Sequence, residues 1–99
     1  MDSANFNFDY LISFIRNEIL GEGDEAIIVN RDTSLERDLG LSGIDAEKFI
    51  LKFAQTFNVD IHDFNIDEYF EPEFEFKQKH RNNFTVSKLE ESIRLGYLR

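Results

Sequence analysis

The sequence predicts an all-α protein, a four-helix bundle with a long first loop and an extended loop before the last helix. Three observations lead there. Apolar residues recur at helical spacing in separate stretches, no stretch alternates long enough to pair convincingly as a strand, and Gly, Asn or Pro closes the periodic runs. With 99 residues there is room for one domain, residues 1–99. Forty-one per cent apolar residues, including eleven Phe, are enough to close a core without the disulfides that a Cys-free chain lacks.

The first helix is expected over Phe8–Leu20, where Phe8, Leu11, Ile12, Phe14, Ile15 and Ile19 share a face, Asn7 stands in the capping position, and Gly21 and Gly23 follow as a stop. Residues 21–34 read as a long loop. Its run Ala26–Val29 is too short and isolated for a strand, so Ile27 and Val29 are expected to drop onto the core, joined by Leu35 and Leu39 from a turn in "DTSLERDLG". The clearest periodicity lies between Ile44 and Phe57, where Ala46, Phe49, Ile50, Phe53, Ala54 and Phe57 form one stripe and Glu47, Lys48, Lys52, Gln55 and Thr56 the other face. Ser42 stands where a cap belongs, with Asp45 in the first turn. Val59, Ile61, Phe64, Ile66, Tyr69 and Phe70 suggest a short third helix starting near Asp63 or Asn65 and closed by Pro72. Phe74 and Phe76 alternate with polar residues in an extended connection over 71–84. A last helix follows Thr85 and covers roughly 86–95, with Val86, Leu89 and Ile93 inward and Gly96 beyond it.

Charge narrows the function. Eleven Lys and Arg against twenty Asp and Glu give −9, a field that repels nucleic acid and anionic membrane and attracts basic protein surfaces. The imbalance is uneven: residues 1–40 carry −6, residues 41–76 carry −7, and residues 77–99 carry +4. No apolar run approaches the roughly 18 residues of a membrane span, and "MDSANFNFDY" lacks the basic flank of a signal peptide, so a cytoplasmic monomer is expected.

Catalytic and metal chemistry finds no foothold. The carboxylates fall in a polar stretch rather than in a cleft that could separate their titrations, so no catalytic residue is assigned. "DIHDFNIDEYFE" lacks the central Gly and alternating oxygen ligands of a calcium loop. His62 and His80 have no thiol to complete a transition-metal site, and "GEGDE" lacks the Lys-Ser/Thr of a phosphate cradle. No metal or other cofactor is expected from these residues.

The segment "SLERDLGLSGIDAEKFILKFAQTFNVDI" resembles the centre of an acyl carrier protein. Asp38-Leu39-Gly40 match the carriers' Asp-Leu-Gly, Ile44 the Leu of their Asp-Ser-Leu triplet, Phe57 and Ile61 the residues closing the second helix and leading to the third, and Thr85-Val86 the start of the last. The resemblance implies a four-helix carrier fold and a serine bearing 4'-phosphopantetheine. At that serine's position stands Gly43, which has no oxygen to esterify; Ser42 lies one residue early. "GLSGIDAEKF" and Tyr69-Phe70-Glu71-Pro72-Glu73 are similar to a group of uncharacterised bacterial acyl-carrier-like proteins, which implies a bacterial source and no settled activity.

Three functions follow as expectations. The first is a non-catalytic docking module whose Ile44, Asp45, Glu47, Asp60, Asp63, Asp67 and Glu68 meet a basic protein surface, with no arm attached. Lys48 and Lys52 dilute the acidity of the second helix, which moves the expected face toward Asp67 and Glu68. The second is a carrier modified on Ser42. The third is an acidic mimic of nucleic acid, disfavoured because the acids alternate with Phe64, Ile66 and Phe70 rather than lining one exposed face.

Overall fold

The computed structural model describes residues 8–66, 69 and 83–99, which form three α-helices and no strand: α1, Phe8–Ile19; α2, Gly43–Phe57; and α3, Val86–Leu95. Of the helix expected to start near Asp63 or Asn65, the described part shows a turn at His62 and Asp63, no regular structure at Phe64 and Asn65, and 3₁₀ geometry at Ile66. Three helices of the expected four are present among the described residues. The rest of that expected helix and most of the 71–84 connection, with Phe70, Pro72, Phe74, Phe76 and His80, lie outside the described residues, as does Asn7.

The helix α1 turns Leu11, Phe14 and Ile15 inward. They meet the inward stripe of α2, where Ala46, Phe49, Ile50 and Phe53 are buried. Tyr10 lies against Phe57 and Phe14 against Phe49, Phe53 and Phe57, while Glu18 reaches Lys52 at 3.1 Å. Partners thus descend along α2 as positions rise along α1, so the two helices run antiparallel. The Phe14 and Phe57 rings meet edge-on at 5.3 Å, a favoured approach for two ring quadrupoles. Asn58 ends α2 in the left-handed region at φ 56°, and its N–H donates to the Ala54 carbonyl.

One charged side chain shapes the first loop. Arg16, in the last turn of α1, donates to the carbonyl oxygens of Ile27 at 2.7 Å and Asp24 at 3.1 Å, satisfying backbone groups that a long loop would otherwise leave to solvent. Val29 and Leu39 pack against the core as expected, and Leu35 is fully buried.

The helix α3 is held by that loop. Thr85 occupies the capping position, but its hydroxyl makes no cap bond. Instead the Val86 and Ser87 N–H groups donate to the carbonyls of Thr33 and Arg31, both at 3.0 Å, and the Leu35 N–H donates to the Phe84 carbonyl at 2.9 Å. Side chains reinforce the seam. The Arg31 guanidinium makes two bonds to the Glu90 carboxylate, at 2.9 and 3.0 Å, and lies 4.0 Å from the centre of the Phe8 ring, tying the start of α1 to α3. At the other end Gly96 closes α3 at φ 87°, and the tail pairs with the exit of α2: Asp60 N–H donates to the Gly96 carbonyl and Leu98 N–H to the Asp60 carbonyl. Among the described residues no helix is long and apolar enough to cross a membrane.

Two outcomes test this architecture. Phe53→Ala empties a fully buried position in the α1–α2 contact and should cost about 3–5 kcal/mol in urea unfolding; a loss under about 1 kcal/mol would contradict the core as described. The hydrogen bonds from Arg31 hold the Glu90 carboxyl below its usual range against a smaller opposing effect of desolvation, with Arg94 adding a weaker attraction. A carboxyl depressed in the folded state stabilises above its unfolded titration and loses that contribution as pH falls through the folded value. Glu90→Gln should therefore lower the melting temperature at neutral pH, with the gap to the wild type closing once acid has protonated Glu90; a constant gap across that titration would refute the pairing.

Candidate functional site

The features singled out in the sequence divide between the two ends of α2. At its N-terminus Ser42 sits extended in the capping position, but the expected hydroxyl cap is not made; its carbonyl accepts the Ala46 N–H at 3.2 Å as the first intrahelical bond of α2. Gly43 follows at φ 59°, in the left-handed region. A residue with a Cβ loses about 1–2 kcal/mol there, so the glycine answers a backbone demand at the turn into α2. Its missing side-chain oxygen is a consequence of that turn.

The Asp38-Leu39-Gly40 triplet is equally mechanical. The Asp38 carboxylate accepts the Ser34 N–H at 2.7 Å while the Asp38 N–H donates back to the Ser34 carbonyl at 3.0 Å. Gly40 then takes φ 75°, and Leu41 returns to the Leu35 carbonyl and buries its side chain. These residues bend the chain into α2.

Beyond that bend Ile44 is 48% exposed, flanked by exposed Asp45 and Glu47. Leu51 is 55% exposed, and a separation of seven residues sets it within about 20° of Ile44 around the helix and roughly 10 Å along it. The two apolar side chains share one outward line, opposite the buried line of Ala46 and Phe53. Leu51 was not among the candidate residues because it interrupts the polar face only once; its angular match to Ile44 is the signal that identifies it. Beside this line a groove of about 510 Å³ runs between α1, the 39–41 turn and α2. Its floor includes Ile19, Leu39, Leu41 and Phe49, and Asp45, Lys48 and the Glu18–Lys52 ion pair border it.

Asp60 and Asp63 lie past the other end of α2, about 20 Å from Ile44 by helix rise. They are engaged locally. Asp60 accepts the His62 N–H at 2.8 Å, and Asp63 contacts the His62 ring at 3.2 Å and Arg99 at 3.9 Å. The structure therefore does not bring Asp60 and Asp63 together with Ile44, Asp45 and Glu47. Asp67 and Glu68 lie outside the described residues. Among the described residues no cluster of three His, Asp or Glu could hold a metal ion, and no buried side-chain polar atom is left without a partner.

A family model described as a protein of unknown function, DUF1493, spans residues 8–98, from the first described residue of α1 to the buried Leu98. No curated protein and no solved structure matches the chain. The match corrects the resemblance to acyl carrier proteins: no acyl carrier family matches, and the motif that suggested one is accounted for by the Asp38 turn and the left-handed Gly43. The chain belongs to the DUF1493 family of proteins of unknown function.

Proposed function

We propose that this protein is a non-enzymatic docking module that binds a basic protein surface through the outer face of α2, in the cytoplasm and without a covalently attached prosthetic arm. The supporting observation is the exposed line of Ile44 and Leu51. An aliphatic side chain left half in water on a helix whose other face is the core can bury its exposed half against a partner, at roughly 0.7–1.5 kcal/mol per side chain, about half the value for full burial. The chain's charge of −9 supplies the reach: it raises the rate of encounter with a basic surface, and Asp45 and Glu47 stand beside the apolar contact when that surface arrives. Asp60 and Asp63, some 20 Å away, contribute to steering and not to the contact.

Capture experiments test the reading. A partner bound by immobilised wild-type protein should lose about tenfold in affinity on Ile44→Asp, which leaves the core intact, and its association rate should fall with added salt and on Asp45→Lys with Glu47→Lys. Binding that survives Ile44→Asp, or is indifferent to salt, would refute it. Intact-mass measurement of protein purified from its own cells should return the mass of the bare chain. An added mass that disappears in Ser42→Ala would replace this reading with that of a covalent carrier.

A further inference from the structure

Ile44 and Leu51 are not the whole outer line of α2. Between them, about 6 Å on from Ile44 and roughly 40° around the helix, stands Lys48, exposed like both. This face and the groove beside it present five charged side chains, Glu18 from α1 and Asp45, Glu47, Lys48 and Lys52 from α2. Glu18 and Lys52 cancel in their 3.1 Å pair. Asp45 and Glu47 stand off the line, roughly 100° to one side of Ile44 and 60° to the other. Lys48 is the cation on the line itself, and no salt bridge among the described residues engages it. We infer that the occupant of this face is a helix of a basic partner that carries two aliphatic side chains seven residues apart, bases on both flanks, and one carboxylate between the aliphatic pair to meet Lys48. This rests on the docking reading and deepens it by naming the chemistry of the partner's contact.

The spacing selects a helix. Ile44 and Leu51 are roughly 10 Å apart along a nearly straight line, and residues seven apart on a second helix repeat that separation on one face. On an extended strand the side chains of one face recur about every 7 Å, so a strand matched at Ile44 misses Leu51 by about 3 Å. The charges then select what the helix carries. Covering Ile44 and Leu51 also takes Lys48 out of water, and a covered ammonium group costs free energy unless an acceptor replaces its hydration. A uniformly basic surface would set a second cation against the first. A carboxylate at the third or fourth position between the two aliphatic residues supplies the acceptor, while bases to either side meet Asp45 and Glu47. Net charge draws basic partners in, and Lys48 selects among them the one with an acid at its centre.

Fluorescence anisotropy on the full chain, with labelled helix-stapled peptides of about four turns, tests this, and circular dichroism checks folding. Each peptide carries leucines seven residues apart and arginines on both flanks; three versions differ only in Glu, Gln or Lys at the fourth position after the first leucine. The wild type should bind the Glu peptide about fivefold more tightly than the Lys peptide, with the Gln peptide between, against the ranking that net charge alone would give. Lys48→Glu should invert the order, and Leu51→Asp should weaken all three about tenfold while keeping its helical spectrum. Tightest binding of the Lys peptide to the wild type, no binding of any peptide, or an order unmoved by Lys48→Glu would overturn the inference and leave Ile44-dependent capture of a basic partner standing. So would tighter binding of a scrambled, extended peptide of the same composition or of a peptide copying residues 42–58 of this chain, which would give the face to a strand or to a second copy. Failure of the docking reading would show separately, as binding of the three peptides that Ile44→Asp leaves unchanged, and would overturn both.

Discussion

The fold depends on a short run of backbone hydrogen bonds between residues 31–35 and residues 84–87. A helix of ten residues is too short to persist alone in water, and α3 has neither a side-chain cap nor an acid in its first turn to steady it. What it has is the Thr33 and Arg31 carbonyls, presented to its first amide groups by a loop that is itself pinned. The pinning comes from three directions: Arg16 gathers the loop's carbonyls to the end of α1, Leu35 is buried beneath it, and Arg31 clamps Glu90 while covering Phe8. Each attachment is modest. Together they convert a stretch without regular structure into the scaffold that orients a helix.

That arrangement explains which parts of the molecule were legible in the sequence. The boundaries of α1, α2 and α3 follow from local chemistry, because the inward stripes repeat at helical spacing and Gly96 and Asn58 supply the left-handed exits. Leu35 and Leu39 were legible as anchors for the same reason. The seam was not. Carbonyl oxygens of Thr33 and Arg31 carry no sequence signature, since every residue but its side chain offers the same acceptor, and their meeting with Val86 and Ser87 is set by tertiary packing across more than fifty positions of chain. A Ser or Thr before a helix is a fair sign of the boundary and a poor guide to who satisfies the free amides, as Ser42 and Thr85 both demonstrate.

The same distinction accounts for the carrier-like motif. Asp-Leu-Gly followed by a helix is a solution to a mechanical problem: an acid to accept an amide within a turn, an apolar residue for the core, and a glycine to take a positive φ. Any chain that must bend sharply into a helix after a buried Leu can arrive at it. The residues that would separate function from mechanics stand beyond Leu41, at positions 42–44, and here they are Ser42 with a hydroxyl that makes no cap bond, a left-handed Gly43 and an outward Ile44. A triplet read as chemistry turns out to describe a turn, and the candidate site was legible only in Ile44 and the acids beside it.

The outer face of α2 therefore separates two roles that composition blends. Net charge acts over a Debye length of about 8 Å in physiological salt and depends little on where individual carboxylates lie, so Asp60 and Asp63 contribute to it even while engaged with His62 and Arg99. Contact acts over a few ångströms and depends on position alone. On that scale Ile44 and Leu51 stand among Asp45, Glu47, Lys48 and Lys52, and Lys52 is itself held by Glu18. In the proposed docking role, reach therefore comes from the composition of the whole chain and contact from the position of two side chains on α2.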